Sequence, residues 1–166
     1  MPAEHDRIPE AALAWTGAGK RAALATVIDT WGSAPRPKGA QLAISADAEM
    51  VGSVSGGCVE GAVVAEALAA LGDGRPRILE YGVSDAEAFA VGLACGGRIR
   101  VMVEPVGVGD GPSAELLGRL AAARAERRPV VYAVRPEGWE RRRVAGPDDP
   151  LWPATSRRSH PSGRTA

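Results

Sequence analysis

The sequence predicts a single small α/β domain, a mixed sheet with flanking helices, followed by a disordered C-terminal tail. Three observations predict it. Short apolar, β-branched runs alternate with alanine- and leucine-rich stretches of helical length. Glycine- and proline-rich loops separate these runs. After Arg135 the pattern gives way to Pro, Gly, Arg and Ser.

The elements follow in order. Ile8 to Ala18 reads as a helix, with Pro9 early and Gly17 and Gly19 where it should stop. Ala22 to Thr30 is a buried strand, since its run is apolar on both faces. The loop from Gly32 to Gly39 is stiffened by Pro35 and Pro37. Gln41 to Ser45 and Met50 to Val54 read as a hairpin turning at Ala46 to Glu49. Ser55 to Gly57 breaks the second strand, and Val59 to Leu71 is a helix ending before Gly72. Arg77 to Tyr81 is a strand. Ser84 and Glu87 form a capping box opening a short helix to about Val91. Arg98 to Glu104 is a strand, Ser113 to Glu126 a helix, and Pro129 to Val134 a last strand.

These elements place one domain at residues 1–135 and a disordered or truncated tail at 136–166. From Arg135 onward there are seven arginines against four acids. A basic, Pro-rich end of this kind cannot bury enough apolar surface to fold.

Bulk properties exclude several function classes. The chain has 166 residues, 45% hydrophobic, enough for one core and short for two. With 20 basic and 20 acidic residues, no global field argues for nucleic acid as a partner. Aromatic content of 4% disfavours a base-stacking platform and leaves Ala, Val, Leu and Ile to fill the core. No segment approaches the roughly 20 apolar residues of a membrane span. Met1 to Arg7 carries acids and no apolar stretch, unlike a signal peptide. Two cysteines do not make a secreted disulfide framework. The expectation is a cytoplasmic protein with reduced thiols.

Three segments can carry chemistry. In Gly52-Ser53-Val54-Ser55-Gly56-Gly57-Cys58-Val59-Glu60, paired glycines join a strand to a helix. Such backbone approaches a ligand closely, and the helix N-terminus offers unpaired N–H donors to a phosphate. Cys58 would fall in the first turn, where that field favours a thiolate. The segment is neither a Rossmann fingerprint nor a P-loop. The competing reading is a tight turn with an inert cysteine.

Gly92-Leu93-Ala94-Cys95-Gly96-Gly97-Arg98 repeats the Cys–Gly pairing in inverted order. The two cysteines suit soft metal ligation, a redox pair, or contact with a sulfur-rich cofactor. A structural zinc site would need His5 and His160 in the flexible ends, and is disfavoured. Trp31 to Gly39 adds Ser33, Arg36 and Lys38 on a stiff loop, a hydroxyl and two cations suited to phosphate. Glu60 and Glu104 read as a helix-start and a strand-end charge rather than as acids or bases. Asp29 has no evident partner.

Three motifs in order carry a resemblance to a known family: Ala25 to Pro37, Val51 to Glu60, and Gly92 to Gly97. Together, over roughly residues 10 to 105, they resemble the N-terminal domain of the XdhC/CoxI family. These are accessory factors of xanthine dehydrogenase and of molybdenum-containing carbon monoxide dehydrogenase. The resemblance implies a maturation factor, a non-catalytic chaperone. It would bind the molybdenum cofactor (molybdopterin or its cytosine dinucleotide form), protect its sulfurated state, and assist insertion into an apo-molybdoenzyme. Implied partners are that apoenzyme, a cysteine desulfurase and a second copy of the chain. The implied site is Ser33, Arg36, Lys38, Ser55, Gly56, Gly57, Cys58, Cys95, Gly96 and Gly97, with Cys58 or Cys95 approaching the molybdenum. The Rossmann-like second domain of many members is not expected in this sequence. Two other functions remain open, a thiol-dependent sulfur-transfer or redox enzyme using Cys58 and Cys95, and a general nucleotide-binding module.

Overall fold

The structure, a computed structural model, describes residues 7–82 and 96–144, with the side chains of 142–144 left aside. It divides into two compact units, residues 1–117 and 118–166.

The first unit opens with helix α1 (Ile8–Gly17) and holds a five-stranded sheet. Its strands are β1 (Ala22–Trp31), β2 (Gln41–Ser45), β3 (Met50–Gly52), β4 (Arg77–Tyr81) and β5 (Arg98–Pro105), in the spatial order β3-β2-β1-β5-β4. Helix α2 (Glu60–Asp73) lies between β3 and β4 in sequence, and α3 (Ala114–Ala125) follows β5. The small α/β domain expected from the sequence is present. Its strand directions, expected to be mixed, are antiparallel at all four pairings. Antiparallel order has a consequence for function. The end of β1, the start of β2, the end of β3 and the start of β5 lie at one end of the sheet, and so do their loops.

The apolar run of β1 is central. Ala22 to Ala25 are all buried, so the strand is covered on both faces. Ala23, Ala25 and Val27 join Leu42, Ile44, Ile99, Val101 and Val103 in the main core. Helix α2 contributes Val63, Ala67, Ala70 and Leu71 to the same core. Helix α1 packs against β1, β2 and β3 with Ile8 and Ala12 buried. Helix α2 runs past Gly72 to Asp73 and stops at Gly74, whose left-handed φ of 72° ends it. Helical propensity tolerates a glycine at position 72, whereas the backbone of Gly74 has left the helix.

Two local features correct the sequence reading. Strand β1 carries a bulge between Val27 and Asp29 in its pairing with β5. Strict alternation would put Asp29 on the face of Val27, in the core. The bulge sets Asp29 opposite Arg100 and Trp31 opposite Arg98, away from that face. Glu104, expected as a strand-end charge, is fully buried in β5 opposite Leu24. Strand β5 runs one residue further than expected and carries Glu104 inside the ladder.

Gly52 closes β3 with φ of 98°. A Cβ there would lie 2.4 Å from the Gln41 carbonyl oxygen and 2.7 Å from Ile8 Cδ1. Gly52→Ala is therefore expected to destabilise the first unit by about 2 kcal/mol, through left-handed strain and steric clash. The check is a lowered thermal midpoint, by roughly 5–10 °C.

In the second unit, β6 (Val131–Arg135) pairs with β7 (Glu140–Val144) as an antiparallel ribbon. Residues 136–144, assigned to the tail from composition, form its turn and second strand. The sequence Glu-Arg-Arg-Arg-Val has no apolar alternation to announce a strand. Backbone pairing holds it, with Arg141 Nε donating to Tyr132 Oη at 2.8 Å and Arg135 paired to Glu140 at 3.0 Å. The helix expected over Ser84 to Val91 and the tail from residue 145 lie outside the described residues. No helix among the described residues is long and apolar enough to cross a membrane.

Candidate functional site

Three loops meet at the sheet end where β1 finishes. They are the β1–β2 loop (32–40), the β3–α2 loop (53–59) and the Gly96-Gly97 turn that enters β5. Contact between the first and third is backbone to backbone. A Cβ on Gly97 would lie 2.6 Å from the Ser33 carbonyl oxygen and 3.0 Å from the Ala34 nitrogen. A Cβ on Gly32 would sit 3.7 Å from Gly97 Cα. The second loop reaches the first at Gly56, whose Cβ position is 3.8 Å from Pro35 Cβ. The first two motifs and the Gly96-Gly97 end of the third are thus neighbours in space. Glycine is required at Gly97 because no side chain fits between the two backbones.

The β3–α2 loop is organised by Glu60. Its Oε1 accepts hydrogen bonds from Ser53 Oγ at 2.7 Å, Val54 N at 3.1 Å and Ser55 N at 2.9 Å. Its Oε2 accepts from Gly57 N at 2.8 Å and from the Ser55 hydroxyl. The two serines extend this network. Ser53 Oγ accepts from Gly56 N at 2.8 Å, and Ser55 Oγ from Val59 N at 2.9 Å. Burial raises the proton affinity of the Glu60 carboxylate. The hydroxyls of Ser55 and Ser53 and the Ser55 N–H outweigh it and bring the pKa down to about 2. Glu60 is therefore a carboxylate at every physiological pH.

This network changes the role of the glycine loop. The amides of Ser55 to Cys58 were expected to face an anionic ligand; those of Ser55, Gly56 and Gly57 are spent inside the loop. Ser55 is buried, and its hydroxyl is engaged on both sides. Helix α2 begins at Glu60 with Val59 as its cap residue, so Cys58 precedes the helix rather than sitting in its first turn. Its thiol is free and exposed.

The β1–β2 loop is held by Gly39 N donating to Val27 O at 2.8 Å and Val27 N to Ala40 O at 2.9 Å. Asp29, unpartnered in the sequence reading, pairs with Lys38 at 2.7 Å. The Lys38 ammonium holds the Asp29 carboxyl below the usual range, burial opposes it, and the Thr30 N–H adds to the lowering. Lys38 is thus already neutralised. Arg36 is exposed and makes no ion pair among the described residues. Ser33 and Gly96 are exposed, while Gly97 is buried under Ser33. At the rim, the Arg98 guanidinium lies over the Trp31 ring, 5.3 Å from its centroid, and bonds Glu80 at 3.2 Å. Cys95 lies outside the described residues.

Sequence reasoning placed Ser33, Arg36, Lys38, Ser55, Gly56, Gly57, Cys58, Gly96 and Gly97 on the converging loops. It missed Glu60 and Ser53 as the loop's organisers. The available signal was a glutamate directly after Gly-Gly-Cys-Val, with serines five and seven residues before it. No group of three or more His, Cys, Asp or Glu side chains is arranged to hold a metal ion among the described residues.

The fold is a small antiparallel α/β domain with three glycine-bearing loops gathered at one sheet end, and an exposed thiol and an exposed guanidinium on them. Residues 15–82 match the model of the XdhC and CoxI family. The chain is 37% identical over 127 residues to the molybdenum cofactor insertion chaperone PaoD of Escherichia coli (strain K12), covering 76% of this chain and 38% of PaoD. It is 38% identical over 86 residues to the uncharacterized protein YqeB of the same organism, covering 52% of this chain and 16% of YqeB. Among solved structures it resembles a xanthine dehydrogenase from Bacillus halodurans, with TM-score 0.67 and 25% identity, over 83% of this chain and 42% of that one. The chain therefore spans about two fifths of the length of PaoD and less of YqeB.

Proposed function

We propose that this chain binds the molybdenum cofactor and assists its insertion into an apo-molybdoenzyme of the xanthine dehydrogenase or carbon monoxide dehydrogenase type. One observation carries the reading: the loops that bear Arg36, Cys58 and Gly96-Gly97 meet at one sheet end, and Arg36 and Cys58 on them are exposed. The name of the relative PaoD supports it.

The residues fit such a ligand at two points. Arg36 offers a planar donor fork to a phosphate or pyrophosphate. Cys58 offers a soft sulfur to the molybdenum or dithiolene end. Ser33 and Gly96 are exposed beside them, and Gly97 lets the two backbones approach. When bound, the cofactor carries the molybdenum–dithiolene centre that the receiving enzyme uses. The chain's own residues hold it and shield it from water. Molybdopterin and its cytosine dinucleotide form both meet these requirements. Protection of the sulfurated form, a cysteine desulfurase as sulfur source, a second copy of the chain as partner, and a cytoplasmic location complete the proposal.

Arg36→Ala is expected to weaken molybdopterin binding by about tenfold, through loss of a charge-assisted contact of about 1.5 kcal/mol. Equilibrium titration by pterin fluorescence checks this, and an unchanged affinity would remove Arg36 from the site. The exposed, free thiol also favours a second reading, sulfur transfer through a Cys58 persulfide. Mass spectrometry after exposure to a sulfur donor separates the two. A binding chaperone shows no covalent intermediate and loses affinity by degree in Cys58→Ser. A transfer enzyme carries the persulfide and loses all activity.

A further inference from the structure

We propose that Glu60 is the positioning residue of this site, an internal anion that fills the glycine loop from behind. The loop then presents Gly56, Gly57 and Cys58 in one conformation and binds no phosphate through the amides of Val54, Ser55, Gly56 and Gly57. The proposal rests on the cofactor-binding reading for its function, and on the hydrogen-bond network alone for its structural part.

A strand–glycine–helix turn ordinarily offers its amides to a ligand anion. Here five donors converge on one carboxylate within the loop, from Ser53, Val54, Ser55 and Gly57. The Gly56 amide goes to Ser53, and the Val59 amide to Ser55. The Glu60 side chain is itself almost wholly buried, with 9% of its surface exposed. A ligand phosphate brought to this loop would meet a fixed negative charge, with the Val54, Ser55, Gly56 and Gly57 amides already used. The anionic end of any ligand is therefore directed to the opposite wall, where Arg36 stands exposed beyond the Pro35–Gly56 contact. Glu60 touches no ligand in this account and acts through the loop it holds.

The test uses the full chain, amide hydrogen exchange by NMR, and pyrophosphate and molybdopterin as separate probes. In the wild type, the Val54, Ser55 and Gly57 amides are expected to be protected, and unshifted by saturating pyrophosphate. In Glu60→Gln their exchange is expected to rise at least tenfold, while Leu42 and Ile44 in β2 keep their protection. Molybdopterin affinity then falls about tenfold, and Glu60→Asp restores part of it. Should Glu60→Gln fail to fold, Ser53→Ala removes one donor to Glu60 and the acceptor of Gly56, and is expected to shift exchange and affinity the same way. Saturable pyrophosphate shifts at Ser55 and Gly57 in the wild type would overturn the proposal. So would a variant that loses loop protection yet binds molybdopterin as tightly as the wild type. If the wild type binds no molybdopterin, the proposed function fails, while the exchange and pyrophosphate results still decide the assignment of Glu60.

Discussion

Glu60→Ala is expected to destabilise the first unit by about 3–5 kcal/mol, the cost of removing one partner from a buried charged network. Deleting the carboxylate leaves the Ser55 and Gly57 amides and two serine hydroxyls without their acceptor. Each donor left buried and unsatisfied costs about 1–3 kcal/mol, less where the loop can relax toward water. Set against a typical total of about 5–15 kcal/mol, the loss is large. Urea unfolding at neutral pH measures it.

The same residue gives the fold an acid signature. Its pKa falls from an ordinary 4.5 to about 2 in the folded protein. A lowered folded-state pKa means a contribution fully present above pH 4.5 and lost as the pH falls toward 2. The stability gap between wild type and Glu60→Ala should therefore stay constant at higher pH and narrow by roughly 2–3 kcal/mol across that window. A gap that does not change with pH would mean that the carboxylate is not held as described. Asp29 shifts in the same direction, but its pair with Lys38 is exposed to solvent and is expected to matter little for stability.

Gly97→Ala is expected to open the site. Its Cβ would enter the backbone of Ser33 and Ala34, at 2.6 and 3.0 Å, where no flexible side chain can yield. One loop must move, at a cost of about 1–3 kcal/mol. The movement separates Ser33 and Arg36 from the Gly96 turn, and molybdopterin affinity should fall more than tenfold, about 1.4 kcal/mol or more. Gly96→Ala is the control. Gly96 has a left-handed φ of 78°, yet nothing lies within 4 Å of its Cβ position. That substitution strains the backbone by about 1–2 kcal/mol without pushing the loops apart. Equal losses of affinity in the two variants would argue that turn flexibility, rather than loop contact, shapes the site.

The sequence announced most of the sheet because its strands are apolar runs bounded by Gly and Pro. Ala22, Gln41, Arg77 and Arg98 begin strands where periodicity places them. Two things escaped it. The bulge after Val27 leaves no compositional mark, since Ile28 and Asp29 fit an ordinary strand, and only pairing with β5 reveals which face Asp29 takes. Strand β7 is charged at four successive positions before its final Val144, so its pairing with β6 had no hydrophobic alternation to betray it. At the site, glycine spacing correctly marked the loops that meet, because close backbone approach demands glycine. It misjudged what the Ser55 and Gly57 amides do. A glycine turn before a helix has the same sequence whether its donors face a ligand or a carboxylate of its own. Only the position of Glu60, folded back beneath the turn, decides between them.

Anaerobic loading of the full chain and of Gly97→Ala with molybdenum cofactor, followed by gel filtration and assay of molybdenum and oxidised pterin in each protein fraction, tests whether the three converging loops form the proposed cofactor site. Matching amounts of molybdenum and pterin are expected on the wild type and neither on Gly97→Ala. A wild type that retains no pterin, or a variant that retains as much, would overturn the proposed site.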